Sequence, residues 1–146
     1  MVEFRPITEE NFWAIMNMKR PEGEEFVAPN AVSLAEAWLY REAGDVFPFA
    51  IYADGSPVGF MMLDEDAEEQ ALMLWRIMFP EEQANKGYGT QAIQKVIGLA
   101  RESGKYDRMV LDYVPGNERA AHLYEKLGFR PTGDISHGEI VMELKL

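Results

Sequence analysis

Cysteine is absent from the 146 residues. That excludes a disulfide framework, a thiolate zinc site and a cysteine nucleophile. Histidine occurs twice, at His122 and His137, with no metal-ligand spacing, so no metal is expected. Basic residues are scarce: 14 Lys and Arg stand against 25 Asp and Glu, for a net charge of −11. Such a surface repels nucleic acid and anionic membranes and favours cationic partners; acidity for solubility alone accounts for it as well. No apolar run is long enough to span a bilayer, and Met1-Val2-Glu3-Phe4-Arg5-Pro6 lacks the apolar core of a signal peptide. There is no internal repeat and no low-complexity segment. These absences predict a soluble cytoplasmic protein with neither a nucleic-acid nor a membrane partner.

What is present is ordinary globular composition, 47% apolar and 27% charged. The length predicts one domain, residues 1–146, with room for a real core. The chain is organised around Leu72 to Ala100. Leu72 to Phe79 is an apolar run broken only by Arg76, which reads as a strand buried on both faces. Pro80 ends it. After a polar connection, Lys86-Gly87-Tyr88-Gly89-Thr90 opens a helix, and Ala92, Ile93, Val96, Ile97 and Ala100 keep the spacing of one helical face. Glycines at a helix mouth leave N–H groups bare, and those groups with the helix dipole bind phosphate. A short Gly-x-Gly also serves as a plain tight turn. It is too short for a P-loop and lacks the three-glycine dinucleotide fingerprint.

Along the rest of the chain, Val2 to Ile7 predicts a first strand, with Pro6 suited to a sheet edge. Thr8 is a candidate cap for a helix from Glu9 to about Met18. Pro21 to Asn30 is a long loop, and that length favours a functional one. Ser33 is a candidate cap for a second helix, Glu36 completing a capping box and Gly44 ending it. Phe47–Ala53 and Val58–Leu63 form a hairpin through Asp54-Gly55. The acidic stretch Asp64 to Gln70 is a solvated turn. Arg108 to Val114 is a further strand, and Asn117 caps a helix from Glu118 to Leu127 stopped by Gly128. Phe129–Thr132 and Glu139–Lys145 close the chain as a strand pair. The layout is α/β: a mixed sheet of six or seven strands with about four helices.

Two motifs, Gly87-Tyr88-Gly89 after a buried strand and Asn117-Glu118-Arg119-Ala120-Ala121-His122-Leu123-Tyr124-Glu125-Lys126-Leu127-Gly128-Phe129, resemble the GNAT superfamily of N-acetyltransferases. The similarity runs from about Phe49 to Leu146. Pro29-Asn30, Ser33-Leu34-Ala35-Glu36-Ala37 and Gly138-Glu139-Ile140-Val141-Met142 are similar to its polyamine (spermidine/spermine, diamine) branch. One departure stands out. The family's loop usually reads Gln/Arg-x-x-Gly-x-Gly/Ala; here Ala84 falls at the Gln/Arg position, Asn85 replaces the first glycine, and Gln83 sits one residue early. The side-chain part of a pyrophosphate cradle is thereby missing, while the backbone part needs only amides.

The resemblance implies a GNAT fold, acetyl-CoA as cosubstrate and often a homodimer. Lys86, Gly87, Tyr88, Gly89 and Thr90 would hold the pyrophosphate, backbone amides near Ile77 and Met78 would meet the acetyl carbonyl, and Asn117 would touch the cofactor arm while also capping its helix. A fixed N–H aimed at a developing oxyanion contributes a few kcal/mol, on the order of 3. Tyr124 would be the general acid for the leaving thiolate, although its spacing with Ala120, Leu123 and Leu127 alone makes it a core residue. The acceptor amine must lose a proton. Carboxylates able to take it are Glu24, Glu25, Glu36, Asp112 and Glu139, each also readable as a solvated charge. Glu24, Glu25 and Glu36 are the candidate substrate-binding acids for a small cationic amine. Phe26, Trp38 and Tyr40 are candidate groove aromatics, Trp38 fitting a core face equally. Arg76, alone in an apolar strand, must be paired or reach solvent; pairing would neutralise an acidic site residue. Two other functions stay open: acetylation of a protein or peptide N-terminal amine, and a non-catalytic acyl-CoA-binding module.

Overall fold

The computed structural model describes residues 1–20 and 26–146. Seven strands, β1 (Val2–Pro6), β2 (Val46–Ala53), β3 (Ser56–Asp66), β4 (Ala71–Met78), β5 (Arg108–Tyr113), β6 (Arg130–Ser136) and β7 (Glu139–Lys145), form one sheet in the order β1-β2-β3-β4-β5-β7-β6. All neighbouring pairs are antiparallel except β4 and β5. The helices are α1 (Phe12–Met16), α2 (Asn30–Leu39), α3 (Tyr88–Ser103) and α4 (Glu118–Lys126).

Alternation along the strands sends side chains to two cores. Ile51, Ala53 and Met61 pack with Ala92, Ile93, Val96, Ile97 and Ala100 of α3 and with Tyr124 of α4. Ala50, Tyr52, Phe60 and Met62 point the other way and pack with Ile15 of α1 and Leu34 and Ala37 of α2. Both faces are covered, so the middles of β2 and β3 are apolar throughout. Ile93 is fully buried, and truncating such a side chain costs about 2–5 kcal/mol. The β2–β3 hairpin turns through Asp54 (φ 51) and Gly55 (φ 78), the paired left-handed residues of a tight hairpin. Pro6 lies on edge strand β1, as its missing donor requires.

The sheet opens between its two parallel strands. β4 and β5 pair from Ala71↔Arg108 to Leu74↔Leu111 and then part, although β4 runs on to Met78 and β5 to Tyr113. On its other side β4 carries an extra residue: Met62 pairs with Arg76 and Leu63 with Leu74, leaving Trp75 unpaired. Such a bulge bends the strand that holds it, and here it steers the end of β4 away from β5.

Two helix starts differ from the sequence expectation. α1 begins at Phe12 rather than Glu9. Asn11 organises the turn, its Oδ1 accepting from the Thr8 N–H at 2.8 Å and its Nδ2 donating to the Pro6 carbonyl at 3.0 Å, so Thr8 does not cap it. α2 begins at Asn30, with Pro29 at the N-cap position and Ser33 fully buried inside the helix. The capping box therefore does not form, and Glu36 turns to Arg76 instead. The earlier start puts Asn30, Ser33, Leu34 and Ala37 on the inward face and Trp38 outside. Trp38 is 67% exposed, with the Arg41 guanidinium 3.6 Å from its ring centre. The helix stops at Leu39; Gly44 (φ 72) ends the short 3₁₀ turn Arg41–Ala43 that follows.

Candidate active site

The wedge between β4 and β5 continues into a groove of about 1340 Å³. One end is the mouth of α3. The polypeptide reaches it through a 3₁₀ turn at Glu81–Gln83, then Asn85 (φ 62) and Gly87 (φ 80), both left-handed. Asparagine tolerates that conformation and glycine takes it freely. The N–H of Gln91 bonds back to the Gly87 carbonyl at 3.1 Å. The amides of Tyr88, Gly89 and Thr90 thus lie in the first turn with no intrahelical acceptor, at the positive end of the helix dipole. Ile77, Met78, Gly87, Tyr88, Gly89, Thr90 and Asn117 all line this groove. Lys86 does not: its Nζ donates to Gln83 Oε1 at 3.0 Å. Asn117 caps α4, its Oδ1 accepting from the Ala120 N–H at 3.3 Å.

Tyr124 stands on the groove wall, only 8% exposed, its ring centroid 6.4 Å from that of Tyr113 and 6.1 Å from that of Phe129. Burial, reinforced by the negative charge of Asp112, pushes its phenol up to about 12. Its hydroxyl therefore keeps its proton at neutral pH.

The other end is built from side chains. Arg76 Nη2 donates to Glu36 Oε1 at 3.0 Å, with both side chains largely covered. Asp112 on β5 pairs with Val141, and Glu139 lies two residues earlier on β7; the two carboxyls are diagonal neighbours on one face. Burial raises the Asp112 carboxyl, against the Glu139 hydrogen bond and the nearby charges of Arg76 and His137. Glu139 is raised by burial and then by the charge of Asp112. Phe26, Tyr40 and Arg20 complete this wall; Trp38 is not part of it. The structure thus gathers Tyr124, Glu36, Asp112 and Glu139, whereas Glu24 and Glu25 lie outside the described residues. Sequence reasoning assigned no role to Tyr113, His137, Arg20 or Arg119, all on the wall. Only Arg119 had a usable signal, its place two residues after Asn117. Among the described residues no group of three or more metal-capable side chains occurs, and no helix is long and apolar enough to cross a membrane.

A splayed parallel strand pair, a glycine-bearing helix mouth and a buried tyrosine on the following helix line one groove. The model of the acetyltransferase (GNAT) family matches residues 12–129. The chain belongs to that family, the class of acetyl-CoA-dependent N-acetyltransferases. No curated protein sequence matches it significantly. Among solved structures it is similar to the aminoglycoside acetyltransferase AAC(6')-Ib in complex with coenzyme A, with TM-score 0.80, 21% identity and coverage of 99% of this chain and 95% of that one. It is likewise similar to spermidine N-acetyltransferase from Vibrio cholerae in complex with CoA and spermine, with TM-score 0.77, 15% identity and coverage of 99% and 95%. The PaiA N-acetyltransferase from Thermoplasma acidophilum in complex with coenzyme A gives TM-score 0.70, 18% identity and coverage of 100% and 99%. At these identities the likeness is one of fold.

Proposed function

We propose that this protein N-acetylates a small cationic amine, a polyamine first of all, with Tyr124 as general acid. The observation that carries the reading is the neutral, buried Tyr124 lining one groove with the bare amides of α3 and the Asp112–Glu139 carboxyl pair. The groove residues fit acetyl-CoA: first-turn amides for its pyrophosphate, and the strand edge at Ile77 and Met78, free of β5, for the pantetheine arm and acetyl carbonyl. The donor supplies an activated acetyl thioester. Asp112 and Glu139, side by side with both carboxyls raised, supply a base that accepts the proton lost by the acceptor ammonium, directly or through water. The freed amine forms the C–N bond as the C–S bond breaks, Tyr124 gives its hydroxyl proton to the departing sulfur, and the extra proton on the newly acylated nitrogen passes to the Tyr124 phenolate, leaving a neutral amide, the free thiol and the original tyrosine. A phenol is a fitting donor, since reference pKa values of about 10 for tyrosine and about 8.5 for a thiol are close.

Acceptor charge is read by Asp112 and Glu139 rather than by Glu36, which Arg76 already neutralises. An acidic surface steers a polycation toward them. Arg20 on the same wall favours a second acceptor, a peptide N-terminal amine carrying a carboxylate nearby. The test is thiol release from acetyl-CoA with spermine, spermidine, diamines, amino acids and a basic peptide, using wild type and Tyr124→Phe. Polyamine turnover that collapses in the mutant supports substrate class and acid together. Turnover with the peptide alone selects the second acceptor. Acetyl-CoA binding without turnover on any amine points to an acyl-CoA-binding module.

A further inference from the structure

The α3 mouth lies in a chain of net charge −11, and its wall carries two carboxylates, Glu81 and Glu118. The helix terminus offers about half a positive charge, too little to offset them for a polyanion. Ala84 has no donor side chain, and Lys86 is turned to Gln83. Among the described residues at this end, the wall's one cation is Arg119, the second residue of α4. Its Nη2 donates to the Oδ1 of Asn85, tying α4 to the loop before α3. Asn85 offers that oxygen from a left-handed backbone (φ 62), and a guanidinium with one donor engaged keeps the rest of its fork for other oxygens.

We propose that the Arg119–Asn85 clasp is the cationic anchor for the donor's pyrophosphate, doing from α4 what the Lys86 side chain does not do from the loop. Asn85 sets the angle of the guanidinium; the free N–H groups of Arg119 take phosphate oxygens while the α3 amides take others. The proposal rests on the acetyl-CoA reading above and names the residue that makes a mouth flanked by acids accept an anion.

The test is calorimetric binding of coenzyme A, 3′-dephospho-coenzyme A and pantetheine, at low and high salt, to wild type, Arg119→Gln and Asn85→Gly. Both side chains are exposed, and glycine preserves the left-handed turn, so the variants are expected to fold. Arg119→Gln should weaken coenzyme A and its dephospho form alike by about tenfold, the loss of a charge-assisted hydrogen bond. It should leave pantetheine unchanged and flatten the salt dependence. Asn85→Gly should show the same pattern, smaller. Arg119→Gln binding coenzyme A as tightly as wild type overturns the anchor, and so does an equal loss for pantetheine. A loss for coenzyme A but not for the dephospho form moves the contact to the 3′-phosphate and overturns the pyrophosphate assignment. Wild type that prefers coenzyme A no more than pantetheine overturns instead the acetyl-CoA reading.

Discussion

At the α3 mouth the groove offers backbone amides of consecutive residues, Tyr88, Gly89 and Thr90, whereas at the far end it offers Glu36, Arg76, Asp112 and Glu139, carried by α2, β4, β5 and β7. The first surface is made by one local event, a helix that starts after a left-handed glycine. It can hold a common ligand with few side chains of its own. The second exists only when four elements meet, and every charge in it is conditioned by another: Arg76 by Glu36, and Asp112 by Glu139, Arg76 and His137. A donor shared by many enzymes suits the first construction; a particular acceptor needs the second. Tyr124 lines the same groove.

The largest effect is expected at Tyr124. Tyr124→Phe should lower kcat by about 100-fold or more, the usual worth of a positioned proton donor. The Kd for acetyl-CoA should barely change, which steady-state kinetics and calorimetry together check. At the acceptor end, Asp112→Asn should lower kcat/KM for spermine by about tenfold while leaving acetyl-CoA affinity intact, as expected for a lost charge-assisted contact. Its stability effect has the opposite sign. Folding raises both carboxyl pKa values, so the pair's contribution is fully present below the ordinary carboxylate range and is lost as pH rises through the folded values. Thermal melts across pH should find the mutant gaining on wild type as pH increases.

Arg76→Met should cost about 1 kcal/mol by stranding Glu36 in a half-covered site. It should also move the acidic limb of the kcat/KM profile to higher pH, because the carboxyl pair loses its lowering charge. The smallest expected change is at the donor end. Gly87→Ala forces a side chain into φ 80, a strain of about 1 kcal/mol, and should weaken coenzyme A binding a few-fold with acceptor preference unaltered. If it altered acceptor preference instead, the two ends would be coupled and the contrast between them would fail.

Much of this molecule is legible in one dimension. The buried face of α3, the Asn117 cap, the Asp54-Gly55 turn and the edge position of β1 follow from spacing and turn chemistry within a few residues. The errors came where a side chain found a partner that its own local signal did not name. Ser33 and Glu36 spell a capping box, but packing of Leu34 and Ala37 against β2 and β3 draws the helix start back to Asn30, and Glu36 finds a stronger partner 40 residues away in Arg76. Thr8 loses the cap because Asn11 folds the turn around its own amide. Lys86 is turned to Gln83 and Arg119 to Asn85, partners that spacing does not reveal.

The sequence by itself determined the class of fold and the glycine-bearing start of α3, because a helix mouth and its glycine are written in consecutive residues and their chemistry resides in the backbone. Tertiary structure alone decided the acceptor end. Whether Asp112 is a solvated charge or half of a carboxyl pair depends on the register of β5 against β7, and whether Arg76 is costly or paired depends on where α2 lies over the sheet. Those are distances between residues remote in the chain, and a carboxylate's pKa is set by what stands around it.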